Sequence, residues 1–252
     1  MAQILGTVGG CRYFHGLLKH HVCVIVAIDG PAGSGKSTTA RRVAERMGWL
    51  YFDTGAMYRA VGLAFIDAEQ PFSSEAAARL MPGISVDLDP TPTGLHVFLN
   101  GEDVTVRVRT PEAAKAASMV AVLAEVRRRL VEAQRRIARR EVEAGRGAVL
   151  EGRDIGTVVF PDADVKIFMI AELAARARRR YDELKAGTNG DTPSLDVISD
   201  ELAERDRRDA ERTLSPLLPA EDAVLLDTTG LSVDEQVEHV LGIISDRQHN
   251  TQ

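Results

Sequence analysis

The sequence predicts an α/β chain: a doubly wound parallel sheet of about five strands, with an inserted β-containing subdomain and a short lid. Three observations point there. Five short, partly β-branched apolar runs stand at 22–28, 49–52, 148–151, 165–170 and 223–227. Helical periodicity fills much of the space between them, the pattern of a parallel sheet with helices on both faces. The first run ends in a glycine-rich stretch, IDGPAGSGKST, directly before a helical one, TTARRVAERM.

Taken in order, the first helix should stop at Gly48, a good residue for a left-handed helix end. A second helix is expected from about Ala56 to Asp67. Ser73 or Ser74 caps a short helix through Leu80. From Ile84 the pattern becomes antiparallel: ISVDLD, PTPTG and LHVFLNGEDV read as a hairpin, with apolar Leu95, Val97 and Leu99 alternating and a turn at Asn100-Gly101. Thr110-Pro111-Glu112 reads as an N-cap followed by proline at the first helical position, opening helices over 111–122 and 124–144. The polar segment AGTNGDTP, 186–193, lies between two Arg-rich helical stretches and has the composition of a mobile lid.

Gly30, Gly33, Gly35, Lys36 and Ser37 fill the pattern G-x-x-x-x-G-K-[ST] between a strand and a helix. Glycines let backbone N–H groups close around a phosphate, and the helix N-terminus adds its positive end. Lys36 reaches the β- and γ-phosphates and the Ser37 hydroxyl is suited to magnesium. The motif implies a bound nucleoside triphosphate but not its use.

Composition narrows the field. A net charge of −6 argues against a protein whose main business is coating nucleic acid. The arginines bunch locally, nine within 127–153 and four within 176–180, which suggests discrete phosphate sites. Aromatics make up 5%, too few for a stacking surface on single strands. The two cysteines, Cys11 and Cys23, have neither disulfide-framework nor metal spacing and suit a reducing cytoplasm; Cys23 is expected in the first strand as a small buried apolar residue. No apolar stretch approaches a membrane span. Residues 1–21 carry no signal-peptide pattern and are expected to be a disordered tail.

Four clusters bear on the reaction. Asp53-Thr54-Gly55-Ala56-Met57-Tyr58-Arg59 stands at the carboxyl edge of the second strand, where open α/β sheets bind ligands. Asp53 is either a magnesium ligand or a helix cap, and Arg59 either clamps a second phosphate or packs. Glu151-Gly152-Arg153-Asp154-Ile155-Gly156 closes a later strand. Arg153 suits a bidentate phosphate contact and Asp154 accepts from an exocyclic amine, unless the two are a structural ion pair. In ERDRRDAER, Arg205, Arg208, Asp209 and Arg212 share one helical face, a spacing that a solvated charged surface also shows. Arg127 has the same ambiguity. Arg176, Arg179 and Arg180 precede the lid and either swing over the γ-phosphate or favour a helix end. No Asn-Lys-x-Asp guanine motif and no obvious general base are present. A phosphate acceptor needs no base, because its oxygen is already anionic.

With IDGPAGSGKST, DTGAMYRA, LNGEDVT, RTPEAAKAAS, EGRDIGTVVFPDADVKIF, ERDRRDAER and SPLLPAEDAVLLDTT in this order, the chain from about Val22 to Ile244 resembles the bacterial cytidylate kinases of the nucleoside monophosphate kinase group. The resemblance implies one P-loop kinase domain over 22–252, with a monophosphate-binding insert at about 64–118 and a lid at about 178–203. It implies ATP with Mg²⁺ as phosphoryl donor, and CMP or dCMP as acceptor. Gly30, Pro31, Ala32, Gly33, Ser34, Gly35, Lys36, Ser37 and Thr38 would cradle the ATP phosphates, with Ser37 and Asp53 at the metal. Tyr58, Arg59 and Arg153 would face the acceptor phosphate. Ser118, Arg127, Asp154 and Arg212 would surround the cytosine, and Arg205 and Asp209 would meet the pentose. Lys36, Arg153, Arg176 and Arg180 would stabilise charge in transfer. Cytosine's amine suits Asp154, whereas uracil would set an acceptor against it, favouring CMP over UMP. Glu151 and Thr54 stand where the family pattern often has Asp and Ser; both keep the functional group. A cytoplasmic monomer without nucleic-acid or membrane partners is expected. The rivals are a related P-loop kinase with another acceptor and a nucleic-acid-stimulated ATPase.

Overall fold

The computed structural model describes residues 24–91, 94–187 and 192–250. The expectations for the tail and Cys23, and those for 188–191 of the lid, lie outside the described residues. In chain order the elements are β1 (Ile25–Asp29), α1 (Lys36–Met47), β2 (Leu50–Asp53), α2 (Thr54–Asp67) and α3 (Ser74–Leu80). There follow β3 (Val86–Thr91), β4 (Gly94–Leu99), β5 (Glu102–Asp103), α4 (Pro111–Val120), α5 (Ala124–Glu143) and β6 (Ala148–Gly152). A single π turn (Ile155–Val159) leads to β7 (Val165–Ile170), α6 (Leu173–Gly187), α7 (Leu195–Glu211), β8 (Val224–Asp227) and α8 (Val233–Asn250).

Five strands form one sheet in the order β2-β6-β1-β7-β8, every pairing parallel. Period-two alternation sends their side chains to opposite faces. Val26, Ile28, Val149 and Ile167 pack with Val43 of α1 and Val240 of α8. On the other face Ala27, Phe52 and Leu150 pack with Met57 of α2 and Leu130 of α5. Both faces are therefore buried under helices, as the near-continuous apolar runs require.

Local sequence explains the helix ends. Gly48 ends α1 in the left-handed conformation (φ 66°). Ser73, Thr110 and Ser194 each accept a backbone N–H from the first turns of α3, α4 and α7. The expected hairpin gains a third strand, giving the antiparallel sheet β3-β4-β5 with its turn at Asn100 and Gly101, both at positive φ. Its Val86, Leu88, Val97 and Leu99 join the same apolar cluster as Phe52 and Leu150, so the insert shares the main core.

The region expected as a lid, 178–203, is mostly helix, since α6 runs to Gly187 and α7 starts at Leu195. A small cluster of Ala177, Ile198 and Leu202 with Leu173 and Tyr181 joins these helices and seats them on Ala32 of the glycine-rich loop. The strand carboxyl ends, that loop and the N-terminal half of α6 thus converge at one edge.

Candidate active site

The loop between β1 and α1 is shaped by close packing. At Gly30 (φ +144°) an added Cβ would stand 2.0 Å from the Met169 carbonyl oxygen, so only glycine lets the loop leave β1 beside β7. The N-terminus of α1 opens on Gly35 without a side-chain cap or an acid in its first turn, whereas α2, α3, α4 and α7 are all side-chain capped. Its orphan N–H groups are left for an anion. Lys36 is buried and turns back on its own loop, donating to the Pro31 carbonyl at 2.6 Å. Burial, then the charge of Arg153, pulls its ammonium down to about 7, against the opposing pull of Glu151.

Ser37 and Asp53, the residues expected at the metal, both have protein partners. Ser37 Oγ donates to Glu151 Oε2 at 2.8 Å, and Tyr51 donates to the other oxygen at 2.7 Å. Asp53, opposite Glu151 in the β2–β6 register, realises its capping alternative: Oδ1 accepts the Ala56 N–H at 3.0 Å and Oδ2 takes Arg59 Nη2 at 2.6 Å. Burial, and then the charge of Asp53, raises the proton affinity of Glu151. Among the described residues no group of three or more His, Cys, Asp or Glu gathers as a metal cage. A hydroxyl beside one carboxylate fits Mg²⁺, which keeps most of its shell as water and phosphate oxygens.

On the facing side, arginines and carboxylates interlock. Arg153 Nε donates to Asp209 Oδ2 at 2.9 Å. Burial pushes the Asp209 carboxyl up, but Arg153 and Arg212 outweigh it and hold it below its ordinary range. Arg205 is brought down to about 10 by burial and then by Arg153. Three buried guanidinium nitrogens here lack a hydrogen-bond acceptor, Nε of Arg59, Nε of Arg205 and Nη2 of Arg212, the last lying 3.7 Å from Asp209. Arg127 and Asp154 form a buried ion pair, each side chain 7% exposed. Arg127 also lies 5.9 Å over the Tyr58 ring, whose hydroxyl burial pushes up to about 12. Half-buried Ser118, with Met119, Val122, Asp209 and Arg212, lines a cavity of about 630 Å³. Gly152 sits tightly where β6 ends: a Cβ there would stand 2.7 Å from Ile155 Cδ1 and 2.8 Å from Thr54 Oγ1.

Not every expected residue joins. Arg208 is exposed and bonds the Glu204 carbonyl at 3.4 Å, so the shared face of α7 narrows to Arg205, Asp209 and Arg212. Arg176 is buried against the loop, with Nη1 donating to the Ala32 carbonyl at 3.1 Å and to Asp206 at 2.6 Å. Arg179 instead bonds the Thr228 carbonyl. Arg180 does not share the setting of Arg176: it is exposed and pairs with Glu183 of its own helix at 3.1 Å. Sequence reasoning gave no part to Asp29, Asp206 or Thr228. A lone acid ending an apolar strand one residue before Gly30 was the available signal for Asp29; Asp206 was hidden in a run of mixed charge.

A doubly wound parallel sheet with an open-ended phosphate loop, facing a second cluster of half-buried arginines, defines a P-loop phosphotransferase. A family model described as cytidylate kinase matches residues 26–246. The chain is 46% identical over 218 residues to a cytidylate kinase of Salinibacter ruber, covering 86% of this chain and 95% of that one. It is 45% identical over 225 residues to the cytidylate kinase of Ligilactobacillus salivarius, covering 89% and 97%. Over another 225 residues it is 44% identical to that of Geobacillus kaustophilus, again covering 89% and 97%. The chain belongs to the cytidylate kinase family.

Proposed function

We propose that this protein transfers the γ-phosphoryl group of ATP to CMP or dCMP, giving CDP or dCDP. The observation that carries this reading is the second cationic site. Arg59, Arg205 and Arg212 bury guanidinium N–H groups without acceptors, and Lys36 feels the charge of both Arg153 and Arg205. Buried donors of this kind call for an anionic partner. A monophosphate held by Arg59 and Arg153 would face a triphosphate held by residues 30–38.

In the reaction Lys36 exchanges the Pro31 carbonyl for phosphate oxygens, which favour its charged form. Arg153 and Arg176 add fixed positive charge where negative charge spreads in transfer. Arg180 contributes only by leaving Glu183, so its part depends on movement of the α6–α7 arm. Ser37 and Glu151 would hold Mg²⁺, which when bound neutralises charge on the donor phosphates. The Arg127–Asp154 pair is assembled before the base arrives. It offers an acceptor for the cytosine amine beside a donor for N3 or O2, the complement of cytosine and not of uracil. Ser118 and Arg212 would complete the base site, while Tyr58 would flank the acceptor phosphate and Arg205 with Asp209 the pentose.

Among the described residues no helix is long and apolar enough to cross a membrane. The cysteine pattern favours a reducing cytoplasm, and nothing in the proposed chemistry calls for a second subunit. The test is a coupled assay of nucleoside diphosphate formation with ATP·Mg²⁺ and CMP, dCMP, UMP or AMP in parallel. Strong turnover of CMP and dCMP over UMP and AMP is expected. Comparable UMP turnover would remove the base-reading role of Asp154, and no turnover at all would overturn the reaction.

A further inference from the structure

Beyond Gly152 the chain carries Arg153 and Asp154 and then closes a single π turn, Ile155–Val159. Isolated π turns are rare and concentrate at functional sites, because their ring of N–H and C=O groups is poorly satisfied by itself. Here two side chains from distant elements satisfy it. Asp29, the last residue of β1, accepts the Ile155 N–H on Oδ1 at 2.9 Å and the Gly156 N–H on Oδ2 at 2.8 Å. At the other end Arg135 of α5 donates Nε to the Val159 carbonyl at 2.7 Å and Nη2 to the Val158 carbonyl at 2.8 Å.

A carboxylate spanning two successive N–H groups and a guanidinium spanning two successive carbonyls are both bidentate, charge-assisted contacts, the strong and directional kind. Each is met only if the turn keeps its shape. Asp29 stands opposite Gly152 in the β1–β6 register and one residue before Gly30. The same side chain therefore touches the element that follows Arg153-Asp154 and belongs to the strand that ends in the phosphate loop.

We propose that Asp29 and Arg135 are positioning residues for the acceptor site, clamping the π turn from both ends and thereby fixing the Arg153–Asp154 pair relative to the phosphate loop. This rests on the reading of Arg153 and Asp154 as acceptor contacts. Neither clamp touches the nucleotides; both act through the backbone that carries the contacting side chains.

The experiment is steady-state kinetics of the full chain, with CMP and ATP varied separately, on the wild type, Asp29→Asn, Arg135→Gln, Arg135→Lys and the double variant Asp29→Asn/Arg135→Gln. Urea unfolding is measured on each. A wild type that leaves CMP unphosphorylated would defeat the underlying reading before any variant is compared. With an active wild type, Asp29→Asn and Arg135→Gln should each raise the KM for CMP roughly tenfold, the scale of one charge-assisted hydrogen bond. The KM for ATP should stay within roughly twofold, and the double variant should fall short of the product because both act on one turn. Arg135→Lys, keeping one donor, should recover part of the loss. An unchanged CMP KM with only a lowered unfolding midpoint would overturn the proposal, as would an ATP KM that rises as much as that for CMP. Should Asp29→Asn fail to fold, Arg135→Gln and Arg135→Lys carry the same test from the far end of the turn.

Discussion

Replacing Arg127 with methionine should damage stability and base reading together, and the two can be separated. The Arg127 and Asp154 side chains are each only 7% exposed, so Arg127→Met leaves a carboxylate buried without its charge partner. Removing one member of a buried pair costs roughly 3–5 kcal/mol. For a chain of this size that corresponds to a melting point lower by roughly 6–10 °C. Arg128 is the internal control: it is 52% exposed and its partners Glu125 and Glu132 are 30% and 60% exposed, so Arg128→Met should move the melting point by no more than about 2 °C. Adding Asp154→Leu to Arg127→Met replaces the ion pair with apolar side chains and should return most of the stability. CMP turnover should stay lost in that double variant, because neither cytosine partner remains. Thermal unfolding and the coupled CMP assay together decide the matter. If Arg127→Met melts like Arg128→Met, the pair does not carry the buried energetics argued for it. If the double variant still prefers CMP to UMP, the pair does not read the base.

Other expectations follow from single contacts. Glu151→Gln should raise the Mg²⁺ concentration for half-maximal activity by roughly tenfold or more, whereas Asp53→Ala should cost about 1 kcal/mol as a lost cap and leave that concentration near the wild-type value; the reverse pattern would return the metal to Asp53. Asp29 is raised from 3.8 to about 6, chiefly by burial and further by Asp154, against its backbone hydrogen bonds and the charge of Lys36. A raised carboxyl favours folding fully below pH 3.8 and loses that contribution as pH climbs past about 6. Wild-type stability relative to Asp29→Asn, from urea titrations between pH 4 and 8, should therefore fall by up to about 3 kcal/mol across that window; a flat difference would refute it. Gly30→Ala, with its Cβ 2.0 Å from a backbone oxygen, should destabilise by roughly 3 kcal/mol or more, while Gly48→Ala, at φ 66° with open space around it, should cost about 1 kcal/mol in the same denaturation assay.

The expectations that held concern interactions between near neighbours in the chain. The glycine-rich loop, the caps at Ser73 and Thr110, the Gly48 stop and the Asn100-Gly101 turn all rest on backbone geometry set within a few residues. The five apolar runs were legible as strands because burial on both faces leaves no polar alternation. The face shared by Arg205, Asp209 and Arg212 was half legible: helical spacing also admitted Arg208, and only packing shows which side of α7 turns inward. Helical stretches on both sides of 186–193 were legible from composition, and α6 and α7 stand there; that Ile198 and Leu202 hold α7 against α6 and Ala32 was not.

By itself the sequence determined a triphosphate-binding loop at a strand–helix junction, a parallel α/β frame around it and a stock of arginines for phosphate. Tertiary structure decided which group meets which. Ser37 pairs with Glu151, 114 residues away, while the nearer Asp53 is occupied as a cap. Asp29 grips a turn 126 residues on, and Arg127 reaches Asp154 across 27. Those partners are set by the parallel register of β1, β2 and β6 and by the packing of α5 on the sheet. Such choices are made when the core closes, because a buried charge takes the partner that the backbone brings to it and not one that its own segment can supply.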